Sequence, residues 1–129
     1  MSLPDLGQPV PRKDITIKRN QDFTFAILYL EGGDITDTTG WAVKMHVREL
    51  PESDSPVLME ASTAGGTVTV GVNGDPGEEI NIDILVPAAT TNGIDYEGTA
   101  GYDIRVVDTA GNAFYIAQGY AYIQGAYTY

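Results

Sequence analysis

Apolar and polar residues alternate with a period of two along most of this chain, the spacing at which a strand turns one face to a core and the other to solvent. Trp41, Val43, Met45 and Val47 fall on one side of their run, with Ala42, Lys44, His46 and Arg48 on the other. Ile80, Ile82, Ile84 and Val86 oppose Asn81, Asp83 and Leu85, and Val68, Val70 and Val72 form a third inward row. β-Branched and aromatic residues fill these runs while Gly, Pro, Asn and Asp separate them. The pattern predicts eight strands, over residues 14–18, 22–30, 41–50, 57–62, 67–72, 79–86, 98–107 and 112–123, and one helical turn over 88–92. Asp108-Thr109-Ala110-Gly111-Asn112 reads as a hairpin loop with Gly111 available for positive φ, and Asn73-Gly74-Asp75-Pro76-Gly77 separates the fifth and sixth strands. Two one-sided sheets bury their apolar faces against each other, so the expected fold is all-β, an antiparallel β-sandwich of seven to eight strands.

Three stretches depart from this pattern. In the run 22–30, Phe23, Phe25, Ile27 and Tyr29 make one apolar row, but Ala26, Leu28 and Leu30 make a second. Such a strand is either central and covered twice, or part of an interface. The closing run holds five of the eight tyrosines, Tyr115, Tyr120, Tyr122, Tyr127 and Tyr129. Tyrosine suits contacts that are apolar up to a hydrogen bond at the tip, so these rings fit either a subunit contact or ordinary sheet packing. Residues 1–12 carry Pro4, Pro9 and Pro11 without periodicity and read as an extended N-terminal arm for neighbouring chains to hold, ahead of one sandwich domain over 13–129.

Length and charge narrow the function. A chain of 129 residues buries roughly two-thirds of its surface on folding, enough for one core. Without cysteine, it has no disulfide, thiolate metal site or cysteine nucleophile. Eighteen acidic against seven basic residues give a net charge of −11, which repels phosphate backbones and anionic lipids, so neither nucleic acid nor membrane is an expected partner. No apolar run approaches the ~20 residues of a spanning helix, and Met1 to Val10 lacks the regions of a signal peptide, so any exit from a cell is expected by another route, such as lysis.

Candidate chemistry is sparse. The lone His46 has no nucleophile or acid at a spacing that builds a catalytic set, and Ser2, Ser53, Ser55 and Ser62 lie outside any G-x-S-x-G elbow. Acidic groups cluster at Glu31, Asp34 and Asp37, at Glu49, Glu52 and Asp54, and at Asp75, Glu78 and Glu79. Their spacing lacks the alternation of a calcium loop, and they read as solvated surface. Gly32-Gly33 and Gly65-Gly66 sit in turns with no helix behind them, which assigns them to backbone geometry rather than phosphate binding. The expectation is therefore no catalytic, metal or cofactor-binding residue, and no enzyme.

Taken in order, several segments resemble small bacteriophage and prophage virion structural proteins. These are Asp14-Ile15-Thr16-Ile17-Lys18-Arg19-Asn20-Gln21-Asp22-Phe23, Asp37-Thr38-Thr39-Gly40-Trp41, Val47-Arg48-Glu49, Gly101-Tyr102-Asp103-Ile104 and Gly119-Tyr120-Ala121-Tyr122-Ile123. The family runs from a "D-x-T-I-x-x-G-D-T-F" strand through "D-L-T-G-Y" and "Y-D-I" to a closing "G-x-V-x-I" strand. Here Asn20 and Gln21 stand where it usually has a glycine, and Trp41 replaces the usual tyrosine. The resemblance implies an Ig-like or upper-baseplate-N-terminal-like β-sandwich and a structural, non-enzymatic role. It also implies assembly in the host bacterial cytoplasm into a virion, on other tail, collar or capsid subunits, as a homo-oligomer or symmetric array. Three roles remain in view: a tail, baseplate or collar module, a capsid decoration protein whose arm clamps capsomers, and a glycan-binding adhesin.

Overall fold

The computed structural model describes residues 12–31, 33–49, 56–71 and 80–125. Within them the order is β1 (Ile15–Lys18), β2 (Phe23–Ile27), β3 (Leu30–Glu31), β4 (Asp34–Ile35), β5 (Ala42–Arg48), β6 (Val57–Ser62), β7 (Val68–Val70), β8 (Ile82–Val86), α1 (Ala88–Asn92), β9 (Gly98–Val107) and β10 (Ala113–Gln124). Five strands form one sheet in the order β1-β10-β9-β5-β6, and three form the facing sheet in the order β2-β8-β7. β3 and β4 make a separate hairpin. Strands β10, β9, β5 and β6 facing β2, β8 and β7 match the Ig variable-type layout, in which the sheet of the last two strands gains an extra strand beyond the third. The protein is an Ig-like β-sandwich.

The predicted alternation is what the core uses. Val43, Met45 and Val47 from β5 meet Ile82, Ile84 and Val86 from β8, all buried, and Ile104 and Val106 of β9 complete the same layer. Trp41 closes one end, edge-on to Tyr29 and Phe114 at centroid distances of 5.6 and 5.8 Å. The hairpin at 108–112 forms as expected: Gly111 takes φ +87°, and the Asp108 carboxylate accepts the N–H groups of Ala110 and Asn112 at 3.0 and 2.9 Å. Helix α1 also stands where it was predicted. Its first N–H is satisfied not by its own cap but by the Asp22 carboxylate, at 2.8 Å.

Two expectations are corrected, and one of two alternatives for the run 22–30 falls away. The sandwich is not wholly antiparallel, because β1 pairs parallel to β10, Ile15 opposite Ala121 through Lys18 opposite Gln124. A chain's first and last strands can do this, since the whole domain serves as their crossover connection. The run 22–30 is not one strand: β2 ends at Ile27, and Gly33, at φ +86°, turns the following residues into the β3–β4 hairpin. Nor is β2 central. Among the described residues it lies at the edge of the three-stranded sheet, and Leu28 on its second apolar row is 41% exposed. Of the arm only Arg12 is described, and the loop at 73–77, Val72 and the start of the run 79–86 also lie outside the described residues.

Candidate docking face

Strand register defines the outer face of the five-stranded sheet, because directly paired residues point the same way. One row crosses it as Lys44, Arg105 and Tyr115, the next as Glu60, His46, Asp103 and Gln118, and a third as Arg48, Gly101 and Tyr120. Thr99, Tyr122 and Thr16 form a fourth. Tyr115, Tyr120 and Tyr122 are 47%, 39% and 40% exposed. Simple alternation would put Tyr115 and Tyr120 on opposite sides, since their numbers differ in parity. A β-bulge between Tyr115 and Ala117 shifts the register, tucks Ile116 and Ala117 into the core together, and brings all three tyrosines onto one face.

Charge is segregated in the same way. Every one of the seven Lys and Arg residues stands on β1, β5 or β9 or directly beside β1. Five of them (Arg12, Lys18, Lys44, Arg48 and Arg105) belong to this outer face, within a chain of net charge −11. Lys44 faces Arg105 directly across the strands, and like charges so placed repel. Glu60 approaches Lys44 at 3.6 Å and relieves part of this. His46 is part of the same lattice: its Nδ1 accepts from the Arg48 guanidinium at 3.2 Å, and its Nε2 lies 3.7 Å from Glu60. Both ring nitrogens face side-chain partners.

The start of the chain is fastened along the edge of this face. The Arg12 guanidinium lies over the Tyr120 ring, 4.6 Å from its centroid, and 3.5 Å from the Asp14 carboxylate. Asp14 accepts the Tyr120 N–H at 3.0 Å, and the Lys13 N–H donates to the Gln118 carbonyl at 2.9 Å. From inside the sandwich, the Tyr102 hydroxyl donates to the Lys13 carbonyl. Burial, and then the Asp14 carboxylate, push the Tyr102 phenol up to about 12. Gly119 makes this approach possible, because a Cβ there would collide with the Lys13 carbonyl oxygen.

The remaining sequence candidates lie apart from one another. Ser62 is buried, with its Oγ accepting the Gly65 N–H at 2.9 Å. Asp37 accepts from the hydroxyl and N–H of Thr39, which lower its pKa, the hydroxyl contributing most. Gly33 and Gly66 adopt positive φ in turns. Among the described residues no three His, Asp or Glu side chains converge as a metal site. Ser2, Ser53, Ser55, Glu52, Asp54, Asp75, Glu78, Glu79, Gly32, Tyr127 and Tyr129 lie outside those residues, and so do the side-chain surroundings of Glu31. No described helix is long and apolar enough to cross a membrane. The sequence reading overlooked the cation grouping and the role of Tyr102. The first was visible in the confinement of Lys and Arg to 12–19, 44–48 and 105.

No family model matches the chain, and no curated protein does. Among solved structures, murine CRIg aligns over 88% of this chain and 92% of its own at 14% identity and a TM-score of 0.37.

Proposed function

We propose that this chain is a non-enzymatic structural component of a bacteriophage virion, a tail-, baseplate- or collar-associated module that docks on neighbouring subunits. The virion assignment follows from the resemblance of its strand motifs. The docking role is carried by one observation: a register-shifting bulge ranks three half-exposed tyrosines beside five cations on the outer face of the large sheet. Tyrosine and arginine are the residue types that anchor protein interfaces, and here Tyr115, Tyr120, Tyr122, Arg48 and Arg105 all stand on paired strands. Tyr120 and Tyr122, with ring centroids 6.3 Å apart, also give the glycan reading a surface, since sugars stack on such rings.

Immunogold labelling of intact particles, with antibody raised against the recombinant domain, tests the assignment. Gold at the tail or collar is the expected result. Gold spread over the head makes this a capsid decoration protein, and particles without gold overturn the virion reading. Binding of the soluble domain to host polysaccharide, lost in Tyr120→Ala, would move the assignment to an adhesin.

A further inference from the structure

We infer that the occupant of this docking face is a second copy of the same chain, bound head to tail, with the cationic tyrosine face of one copy on the outer face of the three-stranded sheet of the next. The inference rests on the docking role proposed above and names its partner.

Charge decides between the possible geometries. A two-fold contact through the same face would bring the five cations of each copy against a surface whose carboxylates are Asp14, Glu60 and Asp103, of which Asp14 and Glu60 already lie beside Arg12 and Lys44. The opposite sheet has the complementary character. No Lys or Arg occurs between residues 20 and 43 or between 49 and 104, so β2, β7 and β8 contain none. Their outer face presents Thr24 beside Leu85, and Ala26 beside Asp83 and Thr69, with Leu28 continuing the outward row from β2. Leu85 is 50% exposed and Leu28 41%, at opposite ends of the β2–β8 ladder, with Asp83 the one ionisable side chain that strands β2, β7 and β8 place on this face. Tyrosine rings and guanidinium groups fit such a surface: the rings cover leucine, and the cation meets the carboxylate.

Arg105 is the natural anchor. It is exposed, sits between Lys44 and Tyr115, and has Asp103 two residues along β9 on the same face, while Glu60 approaches Lys44. A carboxylate from a neighbouring copy removes the like-charge cost and leaves the acidic remainder of both copies in solvent. A contact between two different faces has no built-in partner limit. It closes into a ring where the rotation per copy divides a full turn, and otherwise runs on as a filament.

Sedimentation velocity on the full chain tests this, at about 0.15 M salt, where the Debye length of about 8 Å screens the overall repulsion between copies but not groups in contact. Wild-type protein is expected to associate as its concentration rises from micromolar to millimolar. Arg105→Glu and Leu85→Lys alter opposite faces at exposed positions, and each alone should weaken association about thirty-fold or more. Mixed, the two variants should recover one species and no larger one, a 1:1 dimer built from the face each retains. Thermal melts of both variants check that they fold. A wild-type monomer across the range, loss of association in only one variant, or a mixture that stays monomeric would each overturn the head-to-tail contact. Particle labelling is independent of this measurement, so failure here leaves the virion reading untouched.

Discussion

The side chain of Asn81 serves Tyr29 as a strand would. Its Oδ1 accepts the Tyr29 N–H at 2.8 Å, and its Nδ2 donates to the Tyr29 carbonyl at 2.8 Å and to the Thr36 carbonyl at the same distance. Asn81 is 2% exposed, and its own carbonyl accepts the Thr38 hydroxyl at 2.5 Å. One carboxamide thus ends β2 and fixes both sides of the β3–β4 hairpin to the start of β8. Replacing it with alanine removes three hydrogen bonds from half-buried backbone groups, while the Tyr29 carbonyl keeps the Thr36 N–H at 3.3 Å, at a cost of about 2–4 kcal/mol. Urea denaturation of Asn81→Ala measures that loss, and amide exchange at Tyr29 should rise by more than exchange in β9.

The Tyr102 phenol ties stability to alkaline pH. Its folded-state value near 12 lies above the unfolded value of about 10, so its contribution is complete below pH of about 10 and disappears as pH climbs to about 12. The loss is at most about 2–3 kcal/mol, since one pH unit corresponds to about 1.4 kcal/mol. Tyr102→Phe should cost about 1 kcal/mol at neutral pH for the bond to the Lys13 carbonyl, and should flatten the alkaline limb. An unchanged limb in the variant would assign the alkaline dependence to other groups.

Gly119→Ala places a methyl group against the Lys13 carbonyl. The expected cost is about 1–3 kcal/mol. Proteolysis should then cut before β1 sooner than anywhere else, because the residues displaced are those that hold the chain entry to β10.

Trp41 gives the chain a single indole probe, packed between Tyr29 and Phe114. Its emission should shift to the red in the same transition that abolishes far-ultraviolet β signal, since it is buried in the core against Phe114 of β10 and Tyr29 beyond the end of β2. Trp41→Ala should cost about 3–5 kcal/mol, and a value under 1 kcal/mol would mean that this end of the sandwich closes without it.

How much of this was legible in the residues depends on whether the cause was local. β9 was predicted to the residue because Gly98 at one end and the Asp108 turn at the other bound a clean alternation. The end of β2 was hidden, since the apolar alternation runs straight on through Leu28 and Leu30 and what ends it is Asn81, 52 residues away in the chain. The direction of β1 was hidden too, because four alternating residues have the same pattern beside a parallel partner as beside an antiparallel one. The docking face was half visible. Tyr120 and Tyr122 share parity and so share a face, but Tyr115 joins them only through the bulge, which no turn residue announces.

The parallel pairing of β1 with β10 has a mechanical consequence. Because both strands run the same way, the polypeptide enters the described domain at one end of the sandwich and leaves at the other. Tension applied between those ends pulls β1 and β10 lengthwise past each other. The backbone bonds along the seam, from Lys13 to Gln118 at 2.9 Å through Arg19 to Gln124 at 3.0 Å, then share the load in shear and must fail together rather than unzip singly. A module strung between two larger bodies in this orientation would act as a stiff link.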